Sequence, residues 1–197
     1  MCPVGLPHKG DNWAGFLLVG GRSSRMGTDK ALLPWGGTTV VEHLAELLER
    51  TVGSATLVGE PIRYQHLSLP VLADLQPGQG PLSGIEAALA SGQARWNLIL
   101  ACDIPAVSSD LLVRLKAVAG AQDSCSPVLV RDSTGRVHPL CAAYHQSLLP
   151  RVRAFLAAGE RRLMKLVDSL QPVYVEADQE LRNINTLEEW HAATSSR

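Results

Sequence analysis

Short apolar runs alternate with amphipathic stretches along the chain. Gly15-Phe16-Leu17-Leu18-Val19-Gly20 is a continuous apolar run that ends in glycines, the pattern of a strand covered on both faces. Val40, Val41, Leu44, Leu47 and Leu48 then recur at helical spacing. Further strands are predicted over 55–58, with Gly59 behind it, and over 69–72, 97–101, 127–130, 140–144 and 172–175. Pro70 makes the second of these an edge strand or a strand start. Helical patterns fall between them: Leu82, Ile85, Ala88 and Leu89; Leu111, Leu112, Leu115 and Val118, capped by Ser108 or Ser109; and Leu148, Leu149, Val152, Phe155 and Leu156. The turn Asp132-Ser133-Thr134-Gly135-Arg136 predicts a hairpin between 127–130 and 140–144. Thr186-Leu187-Glu188-Glu189 spells a capping box that opens the last helix.

Strands separated by helices of about 10 to 13 residues predict an α/β fold with a mostly parallel sheet and right-handed crossovers. In such sheets ligands bind outside the carboxyl ends of the strands. Attention therefore falls on the segments that follow strands: 20–30, Gly59, 74–84 and 102–105. The first dozen residues hold Pro3, Gly5, Pro7, His8 and Lys9 and no apolar core. They read as a flexible extension, 1–12, ahead of a single domain over 13–197.

Composition narrows the possibilities. The 197 residues suit one domain, and 46% apolar with 19% charged residues excludes disorder over most of the chain. Lys+Arg 18 against Asp+Glu 19 leaves a net charge of −1, which gives no general pull toward nucleic acid or anionic lipid. Any anion site must be local. No apolar run approaches the roughly 20 residues of a membrane span. The four cysteines, Cys2, Cys102, Cys125 and Cys141, include no C-x-x-C pair, which argues against a zinc site. Cys102 and Cys141 lie in apolar runs and read as small buried residues, and a reducing cytoplasm fits this usage better than export. Trp13, Trp35, Trp96 and Trp190 read as packing groups.

The loop Gly20-Gly21-Arg22-Ser23-Ser24-Arg25-Met26-Gly27-Thr28-Asp29-Lys30 follows the first strand. Its paired glycines permit a tight turn and bring backbone N–H groups close to an anion. Arg22, Arg25 and Lys30 add cations, and a triphosphate, with about four negative charges, needs both kinds of group. The spacing is neither that of a P-loop nor G-x-G-x-x-G. Asp103 follows the strand 97–101 with only Cys102 between, so it is either a metal-holding carboxylate at a strand end or a turn residue ahead of Pro105; the basic loop upstream favours the metal. Ser23 is not read as a nucleophile, because nothing in the sequence places a base beside it.

Leu18 to Lys30 resembles the signature loop of the molybdenum cofactor guanylyltransferases, Leu-Ala-Gly-Gly-x-(Ser/Ala)-x-Arg-Met-Gly-x-Asp-Lys, with Val19 a mild departure. The resemblance continues at Asp74 with Gly80-Pro81-Leu82-Ser83-Gly84, at Cys102-Asp103-Ile104-Pro105, at Ala158-Gly159-Glu160-Arg161-Arg162-Leu163-Met164 and at Asn183-Ile184-Asn185-Thr186, and covers roughly residues 14–192. It implies a three-layer Rossmann-like nucleotidyltransferase that transfers GMP from GTP to the terminal phosphate of molybdenum-bound molybdopterin, with pyrophosphate leaving. It implies Arg25, Lys30 and Asp103 as catalytic, with Mg²⁺ on Asp103. Leu18, Val19, Gly20, Gly21, Lys30, Asp74, Gly80, Pro81, Leu82 and Asp103 would hold the nucleotide.

His138, Arg161, Arg162, Asn183 and Asn185 would face the pterin. His138 reads equally as a turn residue before Pro139, Asp74 as a turn former, and Asn183 and Asn185 as turn-bonding amides. Arg151 and Arg153 read as a solvated helix face. Gly59 stands where the family usually has Asn. The resemblance further implies transient contact with cofactor-biosynthesis proteins and apo-molybdoenzymes. Two other readings stay open: a cytidylyl- or sugar-type nucleotidyltransferase on the same fold, and a noncatalytic GTP-binding carrier module.

Overall fold

A computed structural model describes residues 13–19, 29–76 and 78–195. In chain order its elements are β1 (Trp13–Leu18), a 3₁₀ turn (Lys30–Leu32), β2 (Pro34–Trp35), β3 (Thr38–Thr39), α1 (Val40–Val52), β4 (Thr56–Gly59), α2 (Pro61–Tyr64), β5 (Val71–Ala73), α3 (Pro81–Ala90), β6 (Trp96–Ala101), α4 (Ser109–Gly120), β7 (Val128–Arg131), β8 (Val137–His145), a second 3₁₀ turn (Gln146–Leu148), α5 (Leu149–Ala157), α6 (Leu163–Ser169), β9 (Val173–Glu176) and α7 (Leu187–Ser195).

Seven strands form one sheet in the order β5-β4-β1-β6-β8-β7-β9. β5, β4, β1 and β6 run parallel. β8 is the reversed strand: it pairs antiparallel with both β6 and β7, while β9 runs parallel to β7. The hairpin expected around 132–136 is therefore present, and it lies within the large sheet. A separate two-stranded ribbon, β2–β3, lies in a stretch where the sequence signals no strands.

The period-2 geometry of the strands divides the core in two. Leu17, Leu57, Leu98, Leu100, Val128 and Val130 face α1 and α4 on one side. Phe16, Val58, Ile99, Leu129, Ala142 and Tyr144 face α3, α5 and α6 on the other. Helices on both faces make three layers. α1 forms where its apolar stripe meets a capping box, in which Thr39 N–H donates to Glu42 Oε2 at 3.0 Å and Thr39 Oγ1 accepts from Glu42 N–H at 3.4 Å; it stops at Gly53 with φ 83°. Ser108 is the cap of α4, and Pro81 opens α3, as the patterns imply. The tryptophans are packing groups: Trp13 stacks on Trp96 at 5.8 Å, and Trp35 is buried. Among the described residues no helix is long and apolar enough to cross a membrane.

Candidate active site

β1 and β6 are hydrogen-bonded neighbours, so their carboxyl ends deliver Val19 and Asp103 to one edge of the sheet. Gly20, Gly21, Ser23 and Arg25 lie outside the described residues, which resume at Asp29. Asp29 caps the 3₁₀ turn through Ala31 N–H at 3.1 Å, and its other oxygen accepts from the Tyr64 hydroxyl at 2.7 Å and the Arg63 guanidinium at 2.9 Å. Tyr64 is wholly buried. Burial and the Asp29 carboxylate both push its hydroxyl pKa far up, so it remains a donor. Asp29 thus pins the loop's end, and with it Lys30, to α2. Only the lone aromatic at 64 in a polar stretch hinted at this anchor.

Lys30 Nζ donates to Asn185 Oδ1 at 2.9 Å. Asn183 Nδ2 donates to Asp103 Oδ2 at 2.7 Å, and Ile184 N–H donates to the Asp103 carbonyl at 2.7 Å. The C-terminal segment therefore lies directly across the ends of β1 and β6. Two residues expected on the pterin side, Asn183 and Asn185, touch the two residues expected on the phosphate side. The α7 capping box adds to this: Glu189 Oε2 accepts from Asn185 N–H at 2.5 Å and from Thr186 N–H at 3.0 Å. Those bonds, the Asn185 one first, hold the Glu189 carboxyl below its usual range.

Asn183 Oδ1 is buried and has no hydrogen-bond partner among the described residues. An orphaned amide oxygen beside a carboxylate is a costly arrangement unless something takes it up. Both are hard oxygen donors of the kind that Mg²⁺ accepts. No cluster of three or more His, Cys, Asp or Glu exists among the described residues. The site thus suits an ion that keeps waters and substrate phosphates as its other ligands rather than one caged by protein.

Beyond β5, Asp74 Oδ1 accepts from Gln76 N–H at 2.9 Å. The Ser83 hydroxyl lies 2.9 Å from Asp74 Oδ2 and 2.8 Å from the Gly80 carbonyl, with one proton for the two acceptors. Gly80 takes φ 79°, ψ −166°, a conformation open to glycine. Gly80 is exposed and Pro81 half-buried, whereas Leu82 is wholly enclosed in the core. The turn can thus offer a ligand Gly80 backbone, but no part of Leu82 lies at the surface. Gly84 lets α3 approach β1 closely, since a Cβ there would stand 3.0 Å from the Leu18 side chain. At Gly59 a Cβ would stand 2.2 Å from the Val19 carbonyl oxygen. The β1–β4 contact here leaves no room for a Cβ.

α5 ends at Ala157, Gly159 takes φ 72°, and α6 begins at Leu163, so the expected helix break is real. Glu160 gathers the cations beside it: Arg162 donates from Nε and Nη2 at 2.9 Å each, and Lys165 Nζ at 2.6 Å. The Arg162 contact, then that of Lys165, pulls the Glu160 carboxyl far below its usual range. The Arg161 side chain makes no ion pair among the described residues and is exposed. Arg151, Phe155, Glu160 and Lys165 line an open cavity of about 480 Å³ here. Arg153 does not simply face solvent: its Nε donates to the buried Glu86 at 3.0 Å, and Gln76 Nε2 donates to the same carboxylate at 3.3 Å. His138 stands apart from all of these groups. It is buried, with Nε2 2.9 Å from Asp132 Oδ2.

Comparison with known proteins adds an independent line. A family model described as a MobA-like NTP transferase domain matches residues 15–173. A protein of Bacillus cereus (strain Q1) named a probable molybdenum cofactor guanylyltransferase is 33% identical over 193 residues, 90% of this chain and 94% of that one. One of the same name from Carboxydothermus hydrogenoformans is 34% identical over 179 residues, 86% and 89% of the two chains. Among solved structures, a molybdopterin-guanine dinucleotide biosynthesis protein A from Archaeoglobus fulgidus superposes with a TM-score of 0.76 at 25% identity, covering 93% of this chain and 97% of that one.

Proposed function

The chain belongs to the MobA-like NTP transferase family and is a nucleotidyltransferase; from that premise we propose that it transfers GMP from GTP to the terminal phosphate of molybdenum-bound molybdopterin. A phosphate oxygen of the cofactor attacks the α-phosphorus of GTP, a new P–O–P linkage forms, and the bond to the β-phosphate breaks to release pyrophosphate. No protein nucleophile is required, because the attacking oxygen belongs to the substrate. Catalysis is positioning and charge neutralisation.

What carries this reading is the meeting of Lys30 and Asp103 through the Asn183–Asn185 pair at the ends of β1 and β6. A carboxylate just beyond β6 and a cation at the end of the loop after β1, joined through one amide pair, suit a charged phosphate chain. Lys30, with Arg25 from the loop, takes the triphosphate, as do the N–H groups of Gly20 and Gly21. Asp103 and the Asn183 amide oxygen would be the donors for a divalent ion such as Mg²⁺, which would supply charge neutralisation at the phosphates. Asp74, Gly80 and Pro81 serve base and ribose, and Arg161 and Arg162 the pterin phosphate.

The turn at Gly80 offers backbone to the base rather than a long side chain. Guanine presents an acceptor and two donors there, while cytosine presents a different edge. Each buried polar group left unpaired costs about 1 to 3 kcal/mol, so GTP is expected to exceed CTP and ATP by at least about tenfold in kcat/KM. The test is incubation with each nucleotide, Mg²⁺ and molybdopterin cofactor, with mass detection of the dinucleotide and of pyrophosphate. A CTP rate equal to the GTP rate overturns the base assignment. No nucleotide transfer with any of them overturns the reaction.

A further inference from the structure

Residues 177–186, which carry Asn183 and Asn185, contain no helix or strand. Among the described residues, four hydrogen bonds made by the strap's backbone fasten it to β7, to the turn after it and to the end of β6, beside the side-chain contacts Arg114–Asp178, Asn183–Asp103 and Lys30–Asn185. Ala177 N–H donates to the Arg131 carbonyl at 2.8 Å, Ser133 N–H to the Gln179 carbonyl at 3.5 Å, Leu181 N–H to Asp132 Oδ2 at 3.2 Å, and Ile184 N–H to the Asp103 carbonyl at 2.7 Å. Three are backbone to backbone. The remaining one runs from Leu181, two residues before Asn183 along the strap, to the carboxylate of Asp132.

Asp132 is only 2% exposed. A buried carboxylate is costly unless its oxygens are fully bonded. Here one oxygen accepts from Thr134 N–H at 2.9 Å, Thr134 Oγ1 at 2.6 Å and Arg136 N–H at 3.1 Å, which closes the β7–β8 turn. The other accepts from His138 Nε2 at 2.9 Å and from Leu181 N–H. Burial raises the Asp132 pKa, but the bonds from Thr134, His138 and Leu181 outweigh it and hold the carboxyl well below its usual range. The two oxygens divide the work: one shapes the turn, the other reaches across 49 residues of sequence to the strap.

We propose that Asp132, oriented by His138, is a positioning residue that sets the strap in register and so places Asn183 against Asp103 and Asn185 against Lys30. A carboxylate serves here because it presents two all-acceptor oxygens on opposite sides, which no amide or hydroxyl does. His138 thereby gains a role that requires no contact with substrate. The kinetic part of the proposal rests on the GMP-transfer reading; the mechanical part does not.

Asp132→Asn separates the two oxygens. Its carbonyl still serves the turn, while its NH₂ opposes the Leu181 N–H. Backbone amide exchange over 181–185 is expected to rise about tenfold or more in this variant, with β1 and β6 unchanged. Under the GMP-transfer reading kcat falls about 10- to 100-fold while the KM for GTP stays within about threefold. In an Asn183→Ala background the same change adds little, because the effect passes through Asn183. His138→Gln, which retains a donor for Asp132, is expected to keep most of kcat, and His138→Leu to behave as Asp132→Asn does. Unchanged exchange over 181–185 overturns the proposal, as does full additivity of Asp132→Asn with Asn183→Ala. If the wild-type chain transfers no GMP, the reaction reading fails and the exchange measurement alone decides the clamp.

Discussion

The two halves of the sheet build their share of the site by different means. In the parallel half, β5-β4-β1-β6, the strand ends themselves deliver the groups: Asp103 sits two residues beyond β6, and Lys30 closes the loop that follows β1. Placement there follows from chain direction, since parallel strands bring all their carboxyl ends to one edge. In the mixed half, β8-β7-β9, one strand is reversed, so strand ends no longer converge. The site groups from that half arrive on irregular backbone, the strap 177–186 and the 158–162 break, and side chains hold that backbone: Asp132 for one, Glu160 for the other. Strand direction alone places Asp103, whereas irregular backbone in either half is held by a charged side chain, Asp29 at the end of the β1 loop included.

Breaking the parallel half should have the largest effect. Asp103→Asn keeps the side-chain shape and removes one charge from the metal side, so transfer is expected to fall by at least about 100-fold, roughly 3 kcal/mol of barrier. Steady-state rates at saturating Mg²⁺ check this, with circular dichroism to show that the fold persists. Near-normal turnover would remove Asp103 from the metal side.

Lys30→Ala comes next. Loss of one phosphate cation should lower kcat/KM for GTP by about 10- to 50-fold, less than the fall expected for Asp103→Asn, because the loop keeps its backbone donors. Asp29→Asn sharpens the point. It leaves Lys30 in place but weakens the anchor to Tyr64 and Arg63, so a smaller loss, about fivefold, is expected in the same assay.

In the other half, Arg161→Ala combined with Arg162→Ala should weaken retention of the pterin cofactor while GTP affinity stays within about threefold, under 1 kcal/mol. Binding of each ligand measured separately tests the division. A double variant that lost GTP affinity and kept the pterin would place these arginines on the nucleotide side.

The smallest expected effect on chemistry belongs to Gly59→Asn, which restores the usual family residue. Its Cβ would collide with the Val19 carbonyl, so thermal unfolding should show a stability loss of about 1 to 3 kcal/mol, with no gain in GTP affinity. A tighter-binding, equally stable variant would show that the β1–β4 contact yields.

The sequence by itself marked the seven strands of the large sheet and the longer helices, because those strands are mostly apolar runs and each longer helix carries an apolar stripe. It also marked 29–30, 74–84 and 102–103 as candidate site segments, since they lie in the connections that follow strands. The short elements β2, β3, α2 and α6 escaped it, being too brief to show a period. Only the tertiary structure decided that β8 enters between β6 and β7, because strand order depends on pairings made at long range. It decided that Asn183 and Asn185 stand against Asp103 and Lys30, 80 and 155 residues away in sequence. It also turned His138 inward to Asp132, enclosed Leu82 and drew Arg153 to Glu86. Local spacing marks which residues can carry a proton, a charge or a metal. Which of them meet is set by packing across the sheet, and no local pattern records it.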